Sequence, residues 1–180
     1  MGLYADSPEI DAITGDIKKK ISIGVCGSFT GTNKSLLENL KEYLKKDGYR
    51  NIYTADDYPY DKIPITNGDT KYWFTYKKCM VMVNNCDIII IFLLISNDDP
   101  EVNQSAIAEI QEVCSKRRRN VIILTQEGFD IRSMLKGIRQ ESIKWWTWRD
   151  FSIGKMTDCY QFVKQACHNL ILENFVGRDS

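Results

Sequence analysis

The stretch Asp87-Ile88-Ile89-Ile90-Ile91-Phe92-Leu93-Leu94-Ile95 decides the fold. Its eight consecutive apolar residues fall far short of the roughly 20 that cross a bilayer. They also lack the polar alternation of a strand with one wet face. A strand buried on both faces reads this way. That implies a parallel sheet with helices on each side.

Upstream, Ile21-Ser22-Ile23-Gly24-Val25-Cys26-Gly27 is a short apolar run ending in glycine, and reads as a strand. Leu36, Leu37, Leu40, Tyr43 and Leu44 recur at helical spacing, which predicts an amphipathic helix over Asn33–Lys46, stopped by Gly48. Asn51–Ala55 predicts a second strand, and Asp56–Thr70, with Pro59, Pro64 and Gly68, a loop. A helix is expected over Tyr72–Asn85. Downstream, helices are expected over Asn103–Arg118, Ile131–Ile138 and Met156–Phe175, and strands over Asn120–Thr125 and Ile143–Trp148. Five strands alternating with helices predict a doubly wound α/β domain. The expected sheet is five-stranded and parallel, in the order 2-1-3-4-5 with Asp87–Ile95 central. Residues 1–20 are polar, end in Lys18-Lys19-Lys20, and read as a leader segment outside the core, leaving 21–180 as a single α/β domain.

Composition narrows the function. The 180 residues fit one domain, and 24 Lys and Arg balance 24 Asp and Glu, so the basic surplus of a nucleic-acid binder is missing. At 43% hydrophobic residues the chain is not intrinsically disordered. His168 is the single histidine, which rules out a His-His metal site. The six cysteines form no Cys-x-x-Cys pair, so neither a zinc site nor a disulfide framework is expected. Met1–Asp6 carries no apolar signal core, and Asp6 stands where a myristoylation signal needs Ser or Thr. The expectation is a cytoplasmic protein with no metal, no membrane contact and no nucleic-acid partner.

In doubly wound sheets ligands bind beyond the C-terminal strand ends. After the first strand comes Gly27-Ser28-Phe29-Thr30-Gly31-Thr32-Asn33, leading into a helix. Small residues there let backbone N–H groups approach an anion. The run lacks Gly-Lys-Ser/Thr and is not G-x-G-x-x-G, so it is either a phosphate or sugar loop or a glycine turn with a helix cap. After the third strand comes Ser96 to Ser105, then Ala106-Ile107-Ala108-Glu109. Glu109 sits early in a helix among apolar neighbours. It is either a carboxylate in a partly dry cleft, fit to serve an oxocarbenium-like transition state, or a solvent-facing helix residue. Asp56, Asp57, Tyr58 and Tyr60 follow the second strand as sugar or base ligands, or as an acidic turn. Trp145, Trp146 and Trp148 read as core packing. Lys116-Arg117-Arg118-Arg119 reads as a helix end favoured by the dipole.

These residues carry a resemblance. Gly24-Val25-Cys26-Gly27-Ser28-Phe29-Thr30-Gly31 resembles the opening of the nucleoside 2-deoxyribosyltransferase superfamily, in particular its 2′-deoxynucleoside 5′-monophosphate N-glycosidase branch. Asn85-Cys86-Asp87-Ile88-Ile89-Ile90 resembles that family's third strand. Glu109 with Asn120–Leu124 resembles its catalytic-glutamate helix and fourth strand, and Ser133–Gly137 and Trp146–Trp148 its closing segments. The likeness spans roughly 21–172. It implies a flavodoxin-like domain that cleaves or exchanges the N-glycosidic bond of a nucleotide or deoxynucleoside 5′-monophosphate, without a cofactor, as a homodimer. Glu109 would be the nucleophile. Gly27, Ser28, Phe29, Thr30, Gly31, Asn103, Ser105 and Ser133 would bind substrate or its phosphate. Two departures stand out. Cys79 occupies a position where the family usually has Asp, and a thiol does not do the same acid–base work. The acid role then passes to Asp56, Asp57 or Asp98, or activity is weakened or lost. Ala106-Ile107-Ala108 replaces the family's glycines. The alternatives are a non-catalytic nucleotide-binding domain of the same fold and a TIR-like domain that cleaves NAD.

Overall fold

The computed structural model describes residues 7–27, 33–59, 71–95 and 103–176. In chain order they form α1 (Pro8–Lys20), β1 (Ser22–Cys26), α2 (Lys34–Lys46), β2 (Asn51–Tyr53), α3 (Lys71–Asn85), β3 (Ile88–Leu93), α4 (Gln104–Ser115), β4 (Val121–Gln126), α5 (Ser133–Ser142), β5 (Thr147–Phe151) and α6 (Met156–Ile171). A 3₁₀ turn at Ile153–Lys155 leads into α6, and a π-helical turn at Leu172–Val176 follows it. The five strands run parallel in the order β2-β1-β3-β4-β5. This is the doubly wound, flavodoxin-like topology that the apolar run predicts.

All six residues of β3 are buried. Ile88, Ile90 and Phe92 face one core with Leu40 and Leu44 of α2 and Val163 and Ile171 of α6. Ile89, Ile91 and Leu93 face the other, with Met82 and Val83 of α3, Ile110 and Val113 of α4 and Leu135 of α5. Each such aliphatic side chain, fully buried, contributes about 1.5–3 kcal/mol. α2 follows the expected periodicity, burying Leu36, Leu37, Leu40 and Leu44 along one stripe. α3 lies close on β1. A Cβ at Gly24 would stand 3.3 Å from Cys86 Sγ, Ile89 Cδ1 and Met82 Cγ, so any side chain there pushes α3 outward.

Two polar ties set the register. The Ser22 backbone N–H donates to Asp87 Oδ2 at 2.8 Å, and its hydroxyl reaches the same oxygen at 3.1 Å. Arg118 donates to the carbonyls of Asn84 and Cys86, covering the end of α3 where it turns into β3.

Three expectations change. Residues 8–20 are not a detached leader: α1 buries Thr14, packs Ile17 against the core, and pairs Lys18 with Asp47 at 3.0 Å. Its polar surface concealed one apolar stripe. β5 begins at Thr147 rather than Ile143, and α5 runs to Ser142 rather than Ile138. The Ser142 carbonyl accepts from the backbone N–H of both Trp145 and Trp146, which turns the chain before the strand starts. Ile143, expected inside a strand, is 60% exposed. Trp146 is buried and donates its indole N–H to the Arg118 carbonyl at 2.6 Å, a core role.

Asp87→Ala removes two hydrogen bonds to a charged group, each worth about 1.5–3 kcal/mol. A loss of about 3 kcal/mol or more in urea unfolding is expected. A loss under about 0.5 kcal/mol, the range of an ordinary surface change, would mean that this tie does not hold β1 to β3.

Candidate active site

The site grows from the junction of β3 and α4. Asn103 stands at the N-cap of α4, and its side chain is turned back to β3. The Leu94 N–H donates to Asn103 Oδ1 at 3.0 Å, and Asn103 Nδ2 donates to the Leu94 carbonyl. The amide is thus bonded to the backbone on both of its polar atoms. This clasp fixes how α4 leaves the sheet. Ala106, Glu109, Ile110 and Val113 share the buried side of the helix. Glu109 is only 3% exposed, so the solvent-facing alternative is overturned.

Two thiols meet the Glu109 carboxylate. Cys26, the last residue of β1, and Cys79, in α3, stand beside it and favour its ionised form. Glu109 Oε2 is buried and has no hydrogen-bond partner among the described residues. Burial pushes the Glu109 carboxyl from 4.5 to about 7, against the smaller opposing pull of the two thiols. Burial, reinforced by the Glu109 charge, pushes the Cys79 thiol up to about 12, and raises Cys26 well above the usual thiol range. A carboxylate stripped of water and without a cation is high in energy.

The remaining expected residues divide. Gly27 follows Cys26 with φ +149°, a backbone conformation that favours glycine, so the chain turns out of β1 where the phosphate loop was expected. Ser28, Phe29, Thr30, Gly31, Tyr60 and Asp98 lie outside the described residues. Asp57 is not a free acid. It pairs with Lys41 Nζ through Oδ2 and accepts from the Thr54 N–H and hydroxyl through Oδ1, closing a turn. Asp56 is exposed, and its charge reaches Cys79. Ser105 and Ser133 are exposed in the first turns of α4 and α5. Among the described residues, no three His, Cys, Asp or Glu side chains are grouped to hold a metal ion.

Cys26 was not among the expected site residues. A signal was present in the alternation. Cys26 shares a strand face with Gly24, where α3 packs, and it is the last strand residue before the glycine turn.

No protein-family model matches the chain, and no curated protein does. Solved structures do. The CMP N-glycosidase BcmB of Clostridium botulinum superposes with a TM-score of 0.52 at 14% identity, over 80% of this chain and 98% of that one. A 2-deoxyribosyltransferase of Bacillus psychrosaccharolyticus superposes with a TM-score of 0.50 at 13% identity, over 77% of this chain and 90% of that one. At these identities the likeness shows the fold alone.

The raised Glu109 carboxyl ties the site to stability. Folded protein binds this proton more tightly than unfolded chain does, so between pH 4.5 and about 7 stability falls as pH rises. Glu109→Gln removes that dependence. Relative to this variant, wild type is expected to lose about 3 kcal/mol between pH 4.5 and pH 8 in urea unfolding. A constant difference across that range would contradict a desolvated carboxylate.

Proposed function

We propose that the protein cleaves or exchanges the N-glycosidic bond of a nucleotide or deoxynucleoside 5′-monophosphate, with Glu109 as nucleophile. One observation carries this reading. A carboxylate with a buried oxygen that has no hydrogen-bond partner among the described residues stands at the C-terminal edge of a doubly wound sheet. Solved structures of the same fold include a CMP N-glycosidase and a 2-deoxyribosyltransferase. Breaking the bond builds positive charge on C1′, and a dry carboxylate stabilises it strongly or bonds to it. The segment 27–31 is assigned to the 5′ phosphate, with the turn at Gly27 as its first element. The apolar core of α4 beside Glu109 keeps competing water from the ester intermediate.

A homodimer belongs to this proposal. α3 carries more apolar residues than one buried face uses. Met82 and Val83 enter the chain's own core, Tyr76 is 48% exposed, and Tyr72, Trp73 and Phe74 lie outside the described side chains. Light scattering at micromolar concentration is expected to give the mass of a dimer, and a monomer mass would remove this part of the proposal. No described helix is long and apolar enough to cross a membrane.

Glu109→Gln keeps the shape of the side chain and removes both nucleophile and charge. Base release is expected to fall about 10²–10³-fold, the usual effect of losing one such electrostatic group, while nucleotide binding persists. In wild type, kcat/KM is expected to rise as pH passes through about 7, where Glu109 ionises. A Glu109→Gln protein with full activity would defeat the assignment.

A further inference from the structure

The balance of basic and acidic residues conceals a separation of charge. At the C-terminal edge of the sheet, Asp56, Asp57, Glu127 and Asp130 follow β2 and β4. At the N-terminal edge every strand carries a cation. Arg50 precedes β2, Lys20 precedes β1, Arg119 precedes β4 and Lys144 precedes β5, all of them exposed. Arg118 reaches across the chain entering β3, to the carbonyls of Asn84 and Cys86. In the order β2-β1-β3-β4-β5 these residues stand in one row, about 19 Å long at the usual strand spacing. The helix dipole accounts for Lys20, at the end of α1. It does not account for Arg50, Arg119 and Lys144, which lie outside the helices. Carboxylates at this end are paired with other lysines: Asp16 with Lys19, Glu42 with Lys45, Asp47 with Lys18 and Lys164, and Glu112 with Lys116. Asp87, held by Ser22, and the exposed Glu141 stand against the row.

The row opens into a cleft. α3 packs on β1 at Gly24 and ends at Asn85, with the edge strand β2 beside it. The cleft holds about 510 Å³ and is lined by Lys20, Ser22, Asn51, Tyr53, Tyr58 and Asn85, a size within the roughly 300–1,000 Å³ of small-molecule sites. Asn51 Nδ2 donates to the carbonyls of Lys19, Lys20 and Ile21 at 3.2–3.3 Å, which holds the approach to β1 against β2. Tyr58 is buried and meets the Tyr53 ring edge-on, with centroids 5.4 Å apart and planes at 81°. That contact fixes the half-buried Tyr53 ring in the cleft wall. Lys20 belongs to both the row and the cleft. Cations in line beside a fixed aromatic ring suit a single strand, with phosphates on the one and a base stacked on the other. We infer that this edge binds single-stranded nucleic acid, with phosphates along Arg50, Lys20, Arg118, Arg119 and Lys144 and a base against Tyr53. It lies at the opposite edge of the sheet from Glu109 and is independent of the proposed activity.

The test follows the fluorescence anisotropy of labelled oligouridine and oligothymidine of about 12 residues as wild type is added. Binding is expected, and the RNA and DNA arms tell whether the 2′-hydroxyl contributes. Five phosphate contacts on a single strand are expected to weaken binding about 10²-fold between roughly 50 and 200 mM KCl. An abasic oligomer of the same length is expected to bind about 5–100-fold more weakly, the usual share of one stacked base. The salt and abasic arms use wild type alone. Arg50→Glu, Arg119→Glu and Lys144→Glu combined, all at exposed positions, are expected to weaken binding at least about 10²-fold and to flatten its salt dependence. The inference would be overturned by no binding of either oligomer at the lower salt, by an abasic oligomer bound as tightly as oligothymidine, or by affinity unmoved in the triple variant. Capture by vesicles of phosphatidylcholine and phosphatidylserine, with neither oligomer bound, would also overturn it and make the row a membrane contact.

Discussion

β3 has no face for water. Its alternate residues enter two separate cores, so helices must cover the sheet on both sides. The two cores dispose of Ile88 to Leu94 and bring α3 and α4 against the same face of the sheet. Because α4 begins where β3 ends, its early buried positions fall at the C-terminal edge of the sheet. Glu109 occupies one of them. The apolar drive that buries Ile110 and Val113 on the same helix side carries the carboxylate under with them. The Asn103–Leu94 clasp keeps α4 from rotating to release it.

The resulting site is unfavourable for folding. A dehydrated carboxylate destabilises the folded protein at neutral pH. The thiols of Cys26 and Cys79 temper the cost without neutralising the anion, since both favour its ionised form and neither carries positive charge. A lysine or arginine in their place would stabilise the carboxylate, and would also quench it. The site therefore holds Glu109 in a state between a paired structural carboxylate and a fully exposed one.

The fold was legible because β3 permits one interpretation only. Uninterrupted aliphatic residues need cover on both sides, and glycines punctuate the neighbouring elements. Glu109 was visible by its setting, but whether it faced solvent was open, since helical spacing alone places it beside both Ala106 and Ala108, the first buried and the second exposed. The backbone clasp of Asn103 was not legible because a polar residue at a helix start suits a ligand and a clasp equally well. The turn and lysine partner of Asp57 come from residues brought together by folding. β5 shifted because three tryptophans in four positions favour a strand locally, whereas Ser142 ends a helix there and Trp146 is drawn to the Arg118 carbonyl. Cys26 was hidden by its own apolarity. Only the convergence of β1, α3 and α4 shows what its thiol touches.

The most direct test of this account is the titration of Glu109 itself. Protein labelled with ¹³C at the glutamate carboxyls, followed by NMR from pH 3 to pH 9, reports each carboxyl separately. The account predicts one carboxyl that titrates at about 7 and vanishes from the spectrum of Glu109→Gln. If every glutamate, Glu109 included, titrates in the ordinary range near about 4.3, the carboxylate is hydrated or paired, and it is not the reactive centre described.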